Sequence, residues 1–206
     1  MKIYYDIEQR TQEWYAVKDL KFTASHASAI LAEGAGLKTL IKEMLAEHYS
    51  SGEYEEYSKK YTNKDIERGN EFEDKARSIY QLETGNKVTQ VGFVEMDEYV
   101  GCSPDGLVND NGLIEIKNLS DKVYLELLLS GKIEKKYFNQ MQMQMYVTNR
   151  EWCDFFAFNP NFTDKPFFIQ RVKPDLETMA NLGNALKHAI VLLKEQHKIL
   201  ENIIHT

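Results

Sequence analysis

The chain has 206 residues, 43% hydrophobic and 12% aromatic, enough apolar material for a single packed domain over residues 1–206 and too much for wholesale disorder. Asp and Glu number 32 against 25 Lys and Arg, a net charge of -7, which argues against a protein that coats nucleic acid through a broad basic surface. Two cysteines, Cys102 and Cys153, exclude a disulfide scaffold and a four-cysteine metal site.

The amino terminus, MKIYYDIEQR, lacks the apolar stretch of a signal peptide. No run approaches the ~18 apolar residues of a membrane span, so a cytoplasmic chain without membrane contact is expected. Thr23 to Glu33 reads as a short helix capped at Thr23 or Ser25. A second helix covers Leu37 to Tyr49, and the polar stretch from Ser50 to Asp65 reads as a solvated loop or helix extension. A third helix runs from Asp65 to Thr84 and stops at Gly85, which tolerates a left-handed backbone.

The middle of the chain changes character. Val88–Glu95, Tyr99–Ser103, Leu107–Val108 and Gly112–Lys117 read as strands, with turn residues at Asp105-Gly106 and Asn111-Gly112. Helices follow over Asp121–Ser130 and Lys135–Thr148, then strands over Trp152–Phe158 and Phe167–Val172. Pro174 opens a long final helix striped by Leu176, Met179, Leu182, Leu186, Ile190 and Leu193. The pattern is that of an α/β (α+β) domain, a mixed central sheet flanked by helices with a long C-terminal helix.

Several polar residues sit where solvation alone does not account for them. In Leu113-Ile114-Glu115-Ile116-Lys117 the strand alternation puts Glu115 and Lys117 on one face and Ile114 and Ile116 on the other. Taken alone, this reads more readily as a solvated ion pair on an edge or one-sided strand. Ten residues earlier Asp105 lies in the turn Ser103-Pro104-Asp105-Gly106, and a hairpin of that length returns it beside Glu115 and Lys117. Two converging carboxylates repel unless a cation or proton intervenes, and hard oxygen ligands suit Mg²⁺ or Mn²⁺. A lysine there can orient or deprotonate a water and stabilise phosphate charge.

Glu73 shares a helix face with Ile66, Gly69, Ala76 and Tyr80, which puts its charge on the inward side. The competing reading pairs it with Arg77 on a solvated flank. Gln140 and Gln142 alternate with methionines, and the length of the segment favours a helix over a strand. One amide then faces the carboxylates, unless the methionines are core and the glutamines only surface. The five histidines form no metal-spaced pair, and Cys102 reads as a packing residue.

With these residues in order, the chain resembles the bacteriophage lambda exonuclease family and the related YqaJ-type viral recombinases, a branch of the PD-(D/E)XK nucleases. The resemblance is carried by Glu13-Trp14-Tyr15 with Thr23-Ala24-Ser25, Arg68-Gly69-Asn70-Glu71-Phe72-Glu73, Cys102-Ser103-Pro104-Asp105-Gly106-Leu107, Glu115-Ile116-Lys117 and Gln140-Met141-Gln142. It implies a restriction-endonuclease-like core and a homotrimeric ring. The implied activity is a Mg²⁺-dependent 5′→3′ exonuclease that resects one strand of duplex DNA from its ends, with two ions per site and Mn²⁺ as a substitute.

By that resemblance Asp105, Glu115 and the Ile116 carbonyl would hold the metal. Lys117 would act on the water, and Glu73 and Gln140 would support them. The terminal 5′-phosphate would meet Lys18, Ser25, Ser103 and Lys122. Ile66 would be either a strand-separating wedge or a core residue. The implied partner is a single-strand annealing protein of a phage recombination system. A structure-specific endonuclease of the same superfamily and a catalytically silent DNA-end-binding domain are the alternatives.

Overall fold

A computed structural model describes residues 1–50 and 64–205, and of residues 64–71 it describes the backbone alone. Most of the polar stretch from Ser50 to Asp65, and the side chain of Ile66, lie outside the described residues.

Nine strands form two sheets among the described residues. The first contains β1 (Lys2–Tyr4), β2 (Phe22–Thr23), β4 (Phe93–Glu95) and β5 (Val100–Cys102), in the order β1-β4-β5-β2. The second contains β3 (Val88–Thr89), β6 (Gly106–Val108), β7 (Gly112–Asn118), β8 (Trp152–Phe158) and β9 (Phe167–Val172), in the order β3-β6-β7-β8-β9. β7 and β8 run parallel over seven residue pairs, and their other neighbours in that sheet are antiparallel.

The single strand expected over Val88–Glu95 is therefore two strands in different sheets. Gly92 marks the break: a Cβ there would lie 2.0 Å from the Ile7 carbonyl oxygen, so only glycine lets the two chains approach. The short elements β1 and α1 (Gln12–Lys18) carry too few residues for a periodic pattern to reveal them. Thr11 caps α1, its hydroxyl accepting from the Trp14 N–H.

Among the described residues six more helices flank the sheets: α2 (Ala27–Ala32), α3 (Ala35–Tyr49), α4 (Lys64–Thr84), α5 (Asp121–Ser130), α6 (Lys135–Thr148) and α7 (Leu176–Ile204). A 3-10 turn, Ala24–His26, leads into α2. α4 covers one face of the second sheet through Ala76 and Tyr80, which pack with Ile114, Ile116, Phe156 and Phe158. On the other side a larger core gathers Leu113, Cys153 and Phe155 with α2, α3, α6 and α7. β7 is thus interior on both faces and flanked on both edges, the environment in which strands read as near-continuous apolar runs. A charged residue on it must find its partners inside the protein.

The first turn of α6 is exposed, but residues 141–145 are buried without a break, with Met141, Met143 and Met145 in the core and Gln142 and Gln144 fully buried as well. Alternation of Met and Gln therefore signals neither a strand nor a solvated glutamine face. α7 is capped by Asp175, whose side chain accepts from the Thr178 N–H at 2.8 Å. Its buried stripe is Leu182, Ala185, Leu186, Ala189 and Leu193, while Leu176, the first residue of the expected stripe, is 83% exposed. Among the described residues, no helix is long and apolar enough to cross a membrane.

Candidate active site

Asp105 stands where the chain passes from β5 in the first sheet to β6 in the second. The β6–β7 register pairs Gly106 with Ile114, which returns Asp105 to the end of β7 that carries Glu115 and Lys117. Its Oδ2 accepts from the Ile116 N–H at 2.6 Å, fixing the carboxylate against that strand. Gly106 makes the turn compatible with β3, since a Cβ there would lie 2.2 Å from a Val88 methyl.

Glu115 is 1% exposed and fully provided with donors. Gln140 donates to its Oε1 at 2.8 Å and Gln144 to its Oε2 at 2.6 Å, while the Lys117 ammonium pairs with Oε1. The solvated ion pair considered from sequence is excluded by this burial. Burial disfavours the charge on Lys117, but Glu115 and then Asp105 outweigh it, and its proton affinity is raised overall. The ring of Tyr137 lies 5.2 Å from the ammonium. Burial also pushes the Asp105 carboxyl well up, and the neighbouring Glu115 charge adds to this; Lys117 opposes the shift and Glu73 reinforces it.

Glu73 meets both readings offered for it. It does pair with Arg77, at 2.7 Å, but Arg77 is 6% exposed, so this flank is interior. Arg77 also donates from Nε to the Asp105 carbonyl at 3.3 Å and from Nη1 to Asp74 at 2.6 Å. One guanidinium therefore ties α4 to the turn that carries Asp105, a use of its planar fork that a lysine cannot reproduce. Arg10 adds a longer contact to Glu73 at 3.7 Å.

Of the two glutamines singled out, Gln140 reaches the carboxylates. Gln142 turns away, donating to the Lys173 carbonyl at 3.0 Å and accepting from the Asp175 N–H at 2.8 Å. Gln144 was not anticipated. Its separation of four residues from Gln140 places both amides on one helix face, and that spacing was the available signal.

A second group of side chains borders the Asp105 turn. The Trp14 indole N–H donates to Ser103 Oγ at 2.9 Å and to the Gly92 carbonyl at 3.0 Å, and the Lys18 ammonium lies 3.8 Å over the Trp14 ring. Burial lowers the Lys18 proton affinity, and Glu47 partly restores it. Ser25 is exposed and lies 3.2 Å from the Thr23 hydroxyl, which in turn is 3.3 Å from His26 Nδ1. Lys122 is not drawn in: its side chain is 87% exposed on α5, 3.9 Å from Glu126.

His26 yields a pH prediction. Burial, reinforced by the Lys18 charge, lowers its pKa from 6.5 to about 4. Because the folded value lies below the unfolded one, the unfolded chain takes up the proton first as pH falls. Stability should therefore be lost progressively from about pH 6.5 down to pH 4, by an amount on the order of 3 kcal/mol. Urea unfolding of wild type and His26→Gln across that window measures it; equal pH slopes in the two proteins would refute a buried neutral His26.

The donor set suits a hard divalent cation. Asp105 and Glu115 supply carboxylate oxygens, and the raised proton affinity of Asp105 is the electrostatic load that a cation relieves. Among the described residues, no three His, Cys, Asp or Glu side chains gather closely enough to hold a metal by themselves. The Ile116 carbonyl and water would have to complete the shell, which is the habit of Mg²⁺.

Known proteins of the same build have been solved. An alkaline exonuclease from Laribacter hongkongensis is 31% identical and superposes with a TM-score of 0.85, covering 95% of this chain and 98% of that one. The same exonuclease in complex with dAMP superposes at 0.86. A phage-related exonuclease from Haemophilus somnus shares the fold, with a TM-score of 0.63 at 16% identity, over 90% of this chain and 97% of that one. An uncharacterized protein of Acanthamoeba polyphaga mimivirus is 24% identical over 93% of this chain, which spans 37% of that protein's length. The YqaJ-like viral recombinase domain matches residues 13–151, more than half of the sequence and every segment that builds the site, and the chain belongs to that family.

Proposed function

We propose that the protein is a Mg²⁺-dependent exodeoxyribonuclease that removes 5′-mononucleotides from one strand at the ends of linear duplex DNA, leaving 3′ single strands for phage-type recombination by annealing. The observation that carries this reading is the convergence of Asp105, Glu115 and Lys117 on one buried spot, beside the Trp14–Lys18–Ser103 group. The likeness to an alkaline exonuclease solved with dAMP supports the same substrate class.

In this reading Asp105, Glu115 and the Ile116 carbonyl hold the divalent ions. Bound Mg²⁺ supplies water activation and charge neutralisation at the phosphate. Lys117, protonated between two carboxylates, donates to the attacking water or to a phosphate oxygen. Gln140 and Lys117 hold Glu115 through its Oε1. Glu73 and Arg77 hold the Asp105 turn in place from α4. Lys18, its ammonium partly stripped of water, receives the terminal 5′-phosphate with Ser25 and Ser103. A homotrimeric ring would retain the DNA without a basic coat, consistent with the surplus of acid, and a single-strand annealing protein would take up the product.

Timed digestion of end-labelled linear duplex with Mg²⁺ tests this directly. The expected result is stepwise release of mononucleotides from the 5′ end, abolished by chelation. Cutting of covalently closed circles would replace it with an endonuclease, and end binding without hydrolysis with a silent binding domain. Ends carrying a 5′-hydroxyl should be degraded about tenfold more slowly than 5′-phosphate ends, for the loss of a charge-assisted contact. Lys18→Ala should erase that difference; its survival in the variant would remove Lys18 from the pocket.

A further inference from the structure

Glu115 receives an amide on each oxygen, and the two amides are not equivalent. Gln140 is half-buried, whereas Gln144 is fully buried behind the carboxylate. The far end of Gln144 is fixed as well: the Cys153 thiol lies 3.9 Å from its Oε1 and donates to it. An amide carries its acceptor and its donors at opposite ends. With a donor held against the oxygen, the NH₂ of Gln144 is committed to Glu115 Oε2, at 2.6 Å.

We propose that Gln144, oriented by Cys153, is a positioning residue that sets the plane of the Glu115 carboxylate for divalent-metal binding. Gln140 and Lys117 both act on Oε1, so they leave the carboxylate free to turn about its last bond. A donor on Oε2 removes that freedom. Without it Oε2 is buried and unsatisfied, and the carboxylate rotates toward Lys117, away from the orientation shared with Asp105. Partners standing behind metal-binding side chains commonly change metal affinity or activity by about 10–100-fold. The inference rests on the metal reading given above.

The test is calorimetric titration of Mn²⁺ into the full chain without DNA, for wild type, Gln144→Leu, Cys153→Ala and Cys153→Ser. Gln144→Leu should weaken Mn²⁺ binding about 10–100-fold. The Mg²⁺ concentration giving half-maximal digestion should rise with it, while KM for duplex ends stays unchanged. Cys153→Ala, which frees the amide to turn, should weaken binding by a smaller factor, and Cys153→Ser, which retains a donor, should restore it. Equal affinities in wild type and Gln144→Leu would overturn the proposal. Should Gln144→Leu fail to fold, equal affinities in the two Cys153 variants would overturn it instead. Absence of Mn²⁺ binding by wild type would bring down the metal reading and this inference together.

Discussion

Replacing Lys117 by Met is expected to reduce the rate of end digestion by about 10³-fold while duplex DNA is still bound. Donors aimed at developing charge are each worth about 10²–10³ in rate, and a group acting on a transferred proton is worth a comparable amount. Lys117 is the cation paired with Glu115 and lies close enough to Asp105 for the two charges to interact strongly. Its removal takes away both the donor and the counter-charge. Lys117→Arg should not rescue the rate, because a planar fork cannot occupy the place of a compact ammonium beneath the Tyr137 ring. Asp105→Asn should be equally inactive. It also loses the carboxylate that accepts from the Ile116 N–H and leaves a weaker amide acceptor in its place. Single-turnover digestion with saturating protein separates the chemical step from binding. Wild-type rates in purified Lys117→Met and Asp105→Asn would remove both residues from the mechanism.

A substitution with a large expected effect on stability lies away from this site. Asp154, 2% exposed on β8, accepts from Arg171 at 2.8 Å and 2.9 Å across the β8–β9 register, and from the Tyr80 hydroxyl of α4 at 2.7 Å. Asn86 donates in turn to the Tyr80 oxygen at 3.1 Å, and the Arg171 guanidinium rests 3.6 Å over the Trp152 ring. Burial raises the Tyr80 proton affinity, and the bond to Asp154 raises it further, so the tyrosine remains a donor throughout the working pH range. Arg171→Leu would leave Asp154 buried without its cation. Such losses cost about 3–5 kcal/mol when both partners are interior; Arg171 is half exposed, which puts the expectation nearer 2–3 kcal/mol. In a chain of this length that corresponds to a fall in Tm of roughly 5–10 °C. Thermal unfolding by circular dichroism measures it, and a change below 2 °C, or about 0.5 kcal/mol, would mean that the pair is screened. Digestion by the variant below its Tm should match wild type, since the network fastens α4 at Tyr80, two turns beyond Glu73.

Much of the acidic site was legible in the sequence. Strand alternation alone puts Glu115 and Lys117 on one face, and Asp105 is returned to them by a hairpin whose turn residues announce it. Local geometry of this kind depends on a few neighbouring dihedrals. Glu73 was recognised as facing inward, yet its pairing with Arg77 was set only against a solvated surface. The structure makes the pair interior, because a second residue on the same helix can be buried only once the helix has a sheet to pack on.

What the sequence by itself determined was the type of most elements, the grouping of Asp105, Glu115 and Lys117, and membership in a nuclease-like family through motifs in fixed order. The division of the strands into two sheets was decided by tertiary structure, where Gly92 lets the chain pass against Ile7 and change partners. The choice of Gln140 and Gln144 over Gln142 was decided by the rotation of α6 about its own axis, a quantity fixed by everything that packs around it. The partnership of Asp154 with Arg171 and Tyr80 was decided by strand register and helix placement over separations of 17 and 74 residues. Sequence periodicity reports which face of an element is buried. It does not report what stands opposite, because that depends on chain closure over long loops and on the sum of all packing contacts.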